Sequence, residues 1–156
     1  MSYASERASI KAAFKSGMDT VYKTMFTETL NLYLLDEAKT TTNIYGETSQ
    51  KVYKSPYAMT AKVVTASAEG DNEVQTIQDT VVITFPFGQF EDKSIPCSTD
   101  EDLMTLQKAL IKYNGFIYLV DKVLPKTLVA DTFLFYEFDC TKRNKDSSMN
   151  YVLPEV

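Results

Sequence analysis

Histidine is missing from all 156 residues. With it go the usual general base near neutral pH, the Ser-His and Cys-His nucleophile pairs and most zinc sites. Only five glycines occur, and none builds a Gly-x-Gly-x-x-Gly or Gly-x-x-x-x-Gly-Lys-Ser/Thr phosphate cradle. A cofactor-binding α/β enzyme is therefore not expected. Cysteine is limited to Cys97 and Cys140, far apart and without a Cys-x-x-Cys spacing; both read as reduced, small apolar side chains. No apolar run approaches the ~20 residues needed to cross a bilayer, and Met1-Ser2-Tyr3-Ala4-Ser5-Glu6-Arg7 lacks the basic-then-apolar layout of a signal peptide. The chain is expected to be made and kept in a cytoplasm. Basic residues are outnumbered 16 to 21, which argues against nonspecific nucleic-acid binding, since that needs a basic face to displace counterions from phosphates.

What chemistry remains is a pair of carboxylates acting as acid and base, with Glu47, Glu91 and Asp92 the least badly placed. Acidic residues are usually solvated surface, so enzyme function is not expected and neither is a cofactor. The other acidic cluster, Ser98-Thr99-Asp100-Glu101-Asp102, has a simpler reading than a metal site. Ser98 with Glu101 three residues on is a capping box, acids in a first turn complement the helix dipole, and Leu103, Leu106 and Leu110 supply the buried stripe of a short helix.

What is present suits one globular domain: 44% apolar and 24% charged residues in a chain long enough for a single core. Between Ala4 and Met25 the residues Ile10, Phe14, Met18, Val21 and Met25 recur at steps of three or four, with Lys11, Lys15 and Lys23 between them, which predicts an amphipathic helix. Ser2 and Ser5 are cap candidates, and Glu6 in the first turn favours the dipole. Gly17 weakens the middle by about 1 kcal/mol relative to alanine. Such a helix either covers the core or packs partly on a neighbouring subunit.

At Thr27 to Leu35 the period changes, Leu30, Leu32 and Leu34 alternating with Thr29, Asn31 and Tyr33, which predicts a strand. Residues 56–67 predict a second strand, and 73–85, rich in β-branched residues and ended by Pro86, a third; Gly70-Asp71-Asn72 is the turn between them. Phe87 to Cys97 reads as a loop with exposed aromatics. In the C-terminal half, Leu110 to Tyr113 and Phe116 to Asp121 should pair through Asn114-Gly115, because both residues of that turn must accept positive φ. Pro125-Lys126 is a further joint. Phe133, Phe135, Tyr136, Phe138 and Cys140 then give a strand buried on one face and nearly so on the other, completing a three-stranded antiparallel sheet.

Residues 36–55 are polar and nearly without periodicity for twenty positions, and a connection that long in a compact domain is more often a functional arm than filler. A partner-contacting arm, a mobile loop and an unrecognised hairpin all remain open. Tyr45, Tyr53 and Tyr57 lie in or beside it, as interface aromatics or as residues edging a sheet.

Within this stretch, Asn43-Ile44-Tyr45-Gly46-Glu47 followed by Lys51-Val52-Tyr53 and Pro56-Tyr57 resembles the signature of the head-to-tail connector proteins of tailed bacteriophages, the head-closure or neck components. The hairpin Ile111 to Val123 and a last strand Phe135 to Arg143 are similar to the family's C-terminal half, and the matching stretches cover about half of the chain. The resemblance implies a structural protein of the virion: a small β-barrel or sandwich in a homo-oligomeric ring, usually twelvefold in related necks, between portal and tail. The arm would grip the adjacent subunit or ring, with Asn43, Ile44, Tyr45, Gly46, Glu47, Lys51, Tyr53 and Tyr57 as contact residues. DNA would pass without specific binding, which an acidic lumen favours, and no membrane would be involved.

The expected fold is thus α+β, mainly β: a small antiparallel barrel or sandwich with an N-terminal amphipathic helix, a short second helix and a long extended arm. Residues 1–143 would form one domain (helix 4–26, arm 36–55, β core 57–143), and 144–156 an extended or flexible tail. The alternative function is a small-ligand or carbohydrate-binding β-barrel module, for which Phe85, Phe87 and Phe90 would line a platform.

Overall fold

The computed structural model describes residues 3–24, 28–42, 45, 48–65, 80–129, 131–143 and 150–154. Strands β1 (Glu28–Tyr33), β4 (Tyr57–Thr65), β5 (Thr80–Pro86), β6 (Leu110–Tyr113), β7 (Phe116–Val129) and β8 (Thr132–Lys142) form one closed barrel in the order β1-β4-β5-β8-β7-β6, every pair antiparallel. Closure is made by β1 against β6, where Leu32 pairs with Ile111 and Tyr33 with Leu110. Of the two architectures left open by sequence, barrel and sandwich, the barrel is the one formed. It leaves no free edge among its six strands.

Strand parity explains the core. Leu30 and Leu32 on β1, Val81, Ile83 and Phe85 on β5, and Leu134, Tyr136, Phe138 and Cys140 on β8 are buried at every second position, as period-2 side chains must be when one face is dry. Phe133 and Phe135 have the opposite parity and stand on the outer face, where Phe135 is half-buried and Phe133 exposed. Within the barrel Phe85 meets Phe138 edge-to-face at 5.0 Å and Phe90 at 5.6 Å, and Phe90 meets Tyr136 at 5.2 Å. These offset arrangements place the positive ring edge on the negative ring face.

The Asn114-Gly115 turn forms as expected, with φ of 52° and 82°, joining β6 to β7. Pro125-Lys126 is not a joint: β7 runs unbroken from Phe116 to Val129. Its irregularity lies at Asp121, an extra residue between the Val120–Cys140 and Lys122–Asp139 pairs. A bulge of that kind increases strand twist and helps a small sheet curve shut. A proline is tolerated where its missing N–H costs no ladder bond.

Two short helices, α2 (Phe87–Asp92) and α3 (Asp100–Gln107), contribute Phe87, Phe90 and Leu106 to the barrel core. The reading of Phe87 to Cys97 as a loop with exposed aromatics is thus corrected. Phe87 and Phe90 sit three apart on one face of a six-residue helix, too short to show a period in sequence. Gln89 fixes α2 to β4 by accepting from the Thr60 N–H at 2.8 Å and donating to the Thr60 carbonyl. The capping box of α3 is also shifted by one residue. Thr99, not Ser98, is the cap, and the Asp102 carboxylate, not that of Glu101, receives the Ser98 and Thr99 N–H groups at 3.2 Å.

Helix α1 (Tyr3–Thr24) lies against α2 and the outer side of β4, β5 and β8. The turn at Gly70, residues 73–79 and most of the tail lie outside the described residues.

Candidate interaction surfaces

The polar stretch 36–55 is structured, and the hairpin reading of it is the one observed. Strands β2 (Thr41–Thr42) and β3 (Thr48–Val52) pair antiparallel, and β9 (Asn150–Val152) from the tail adds to β3 in parallel. The base of this small sheet is tied to the barrel by Asp36 N–H to the Val52 carbonyl and Lys54 N–H to the Leu34 carbonyl, both 2.8 Å. Polar side chains do not prevent pairing here because the backbone supplies the bonds.

The expected contact residues divide accordingly. Tyr45 stands at a turn and is 82% exposed. Lys51 lies in β3, half-buried, opposite Tyr151. Tyr53 is only 3% exposed and packs with Tyr33 and Leu110 in a second apolar cluster, with Leu153 against it. Tyr57 opens β4 and rests on the main core, half-buried. Asn43, Ile44, Gly46 and Glu47 lie outside the described residues. Among the four described, Tyr45 is the one that a partner meets first.

The candidate carboxylates are held by α1. Lys11 pairs with Glu91, Lys15 with Asp92 at 2.7 Å, and Arg7 with Asp131. The hydrogen bond from Lys15 to Asp92 raises the lysine pKa above its usual 10.5. Asp102 follows a different balance: burial opposes its ionisation, and the Thr99 and Ser98 hydrogen bonds outweigh it, so its pKa is lowered. Among the described residues no three carboxylates or thiols converge to hold a metal. The aromatic platform expected of Phe85, Phe87 and Phe90 is not on the surface. All three are buried in the barrel core, because Phe85 has inward parity and α2 folds the other two over the barrel interior.

The largest exposed apolar surface lies on α1. The face that α1 turns inward runs Arg7–Lys11–Lys15–Met18–Tyr22, all half-buried or buried. The stripe Ile10–Phe14–Gly17–Val21, one position back in sequence, is rotated by about 100° and remains exposed, Phe14 at 42%. As a cover for the core, then, the predicted apolar stripe is corrected. The acids Glu91, Asp92 and Asp131 draw the basic side of the helix inward, and only Met18 and Tyr22 dock as apolar groups. Gly88 permits the approach, since a Cβ there would stand 2.9 Å from Lys15 Cγ and Asp19 Oδ1.

Between α1 and the outer barrel face this rotation leaves a groove of about 780 Å³, with Phe14, Met18, Val21, Tyr22 and Phe135 as apolar lining. Tyr22 and Phe135 approach to 6.2 Å between ring centroids. Burial pushes the Tyr22 hydroxyl up to about 12. Two lysines, Lys62 and Lys126, and one glutamate, Glu137, complete the charged part of the lining. Parity could have placed Phe135 and Glu137 on the outside from sequence alone; the rotation of α1 had no such signal. Set beside known proteins, the sequence matches no family model and no curated protein.

Proposed function

We propose that this chain is a structural component of the neck of a tailed phage, forming a ring that joins the head to the tail and lines the DNA passage. The observation that carries the reading is the pair of outward-facing contact surfaces on a barrel that is closed in itself: Tyr45 on the β2–β3 hairpin and the Ile10–Phe14–Val21 stripe of α1. A monomer gains nothing by keeping such side chains in water, and exposed apolar groups gathered on one element mark interaction sites. The net charge of −5 suits a passage that does not hold DNA.

Quantitative mass spectrometry of purified virions from the source of this chain tests the proposal. A copy number equal to that of the portal supports a ring component. Absence from the particle overturns it. A second reading, a small-ligand module, is favoured by one feature, the groove under α1, whose volume is that of a small-molecule site. Saturable binding of a glycan or other small ligand by the isolated chain, abolished by Phe135→Ala, would favour that reading over the first.

A further inference from the structure

The groove under α1 needs an occupant with an apolar tip and negative flanks, because its apolar lining is accompanied by two lysines against one glutamate. The chain itself carries such an element elsewhere. On α3, Met104 is 61% exposed, and Asp100 and Glu101, both exposed, lie four and three residues before it, hence on the same side of the helix. Asp102 is taken up by the cap, so these two acids are the ones α3 offers outward. Lys108, past the helix end, is engaged by Glu37 at 2.7 Å.

We infer that α3 of one copy seats in the α1 groove of the next, Met104 entering beside Phe14 and Phe135 and Glu101 facing Lys126. This rests on the reading of the chain as a self-assembling ring component. Three features favour a second copy over another partner. The two surfaces complement each other in charge, negative on α3 and positive on balance in the groove. They share no residue, so the contact is head-to-tail, the kind that closes into a ring when the rotation between copies allows it. Methionine, unbranched and polarisable, fills an irregular apolar groove better than a branched side chain. The mode is a helix laid on a groove, with Gly17, around which a Cβ would meet nothing within 4 Å, leaving the helix wall low.

The test uses the purified full chain. Met104→Cys and Val21→Cys variants are mixed under mild oxidation; the proposal expects a disulfide-linked dimer in the mixture and none with either variant alone. In parallel, Lys126→Glu and Glu101→Lys are each expected to weaken self-association about tenfold, and the two reversals together to restore it. Both substitutions are at exposed positions, so circular dichroism should show the barrel intact. A chain that stays monomeric at millimolar concentration, cross-linking by either variant alone, or charge reversals that fail to rescue each other would overturn the inference. Virion copy number is read separately. Portal-equal copies with no Met104–Val21 cross-link would leave the ring reading standing and remove this interface.

Discussion

Phe138 and Phe14 are both phenylalanines on regular elements, and the chain treats them in opposite ways. Phe138 is out of water and touches Phe85 and Phe90; Phe14 leaves two-fifths of its surface exposed beside an open groove. Around Phe138 the packing is complete within one chain, because β-strand parity delivers apolar side chains from β1, β5 and β8 to the same interior. Around Phe14 the packing stops halfway. Helix α1 is attached by three ion pairs with exposed partners, each contributing at most about 1 kcal/mol, and by Met18 and Tyr22, while its own apolar stripe faces away. The barrel is stabilised by burial and α1 by charge. A helix held in this way can remain in place while offering its apolar stripe to another molecule.

The sharpest way to break this contrast is Phe138→Ala. It should cost about 3–5 kcal/mol and lower Tm by roughly 10 °C, measured by thermal and urea unfolding. A loss comparable to that of Phe14→Ala would erase the contrast. Next in size is Gly88→Val, where overpacking against Lys15 and Asp19 should cost about 1–2 kcal/mol and release α1 from α2. Faster proteolysis within 3–24, with barrel circular dichroism unchanged, is the expected result.

Alkaline pH should act on the same attachment. Tyr22 is favoured in its protonated form, its pKa raised from 10.0 to about 12, and Lys15 is raised above 10.5. Both contributions are whole below the ordinary values and are lost as pH rises through the folded ones. Urea midpoints measured below pH 10 and above pH 12 should fall for the chain and fall less for Tyr22→Phe. The smallest effect belongs to Phe14→Ala, under about 1 kcal/mol in the monomer, yet with a loss of self-association that its stability change does not foretell.

Local patterns were legible wherever one short rule decided the outcome. The alternation at Leu30 to Leu34, the β-branched run ending at Pro86 and the turn at Asn114-Gly115 each contain their answer within a few residues. The hairpin of 36–55 does not. Its strand β2 is two residues long, and its partner β9 comes from the far end of the chain, so neither period nor proximity announces it. Phe87 and Phe90 misled because a single helical turn has no period to read. The rotation of α1 was hidden for a different reason. An apolar stripe ordinarily decides which way a helix faces, and here Glu91, Asp92 and Asp131, distant in sequence, turn the lysine side inward. At the contact surface, Tyr45 met the expectation of exposure, and Tyr53, of the same residue type and eight positions on, serves the chain's own second cluster.

The most direct measurement is amide hydrogen exchange of α1 and of β5 and β8, taken first in the dilute chain and then in its assembled form. An α1 completed by a partner should exchange far faster than β5 and β8 when dilute and gain protection on assembly, while the barrel strands stay unchanged. Equal protection of α1 and β8 in the dilute chain, or no gain on assembly, would contradict the account.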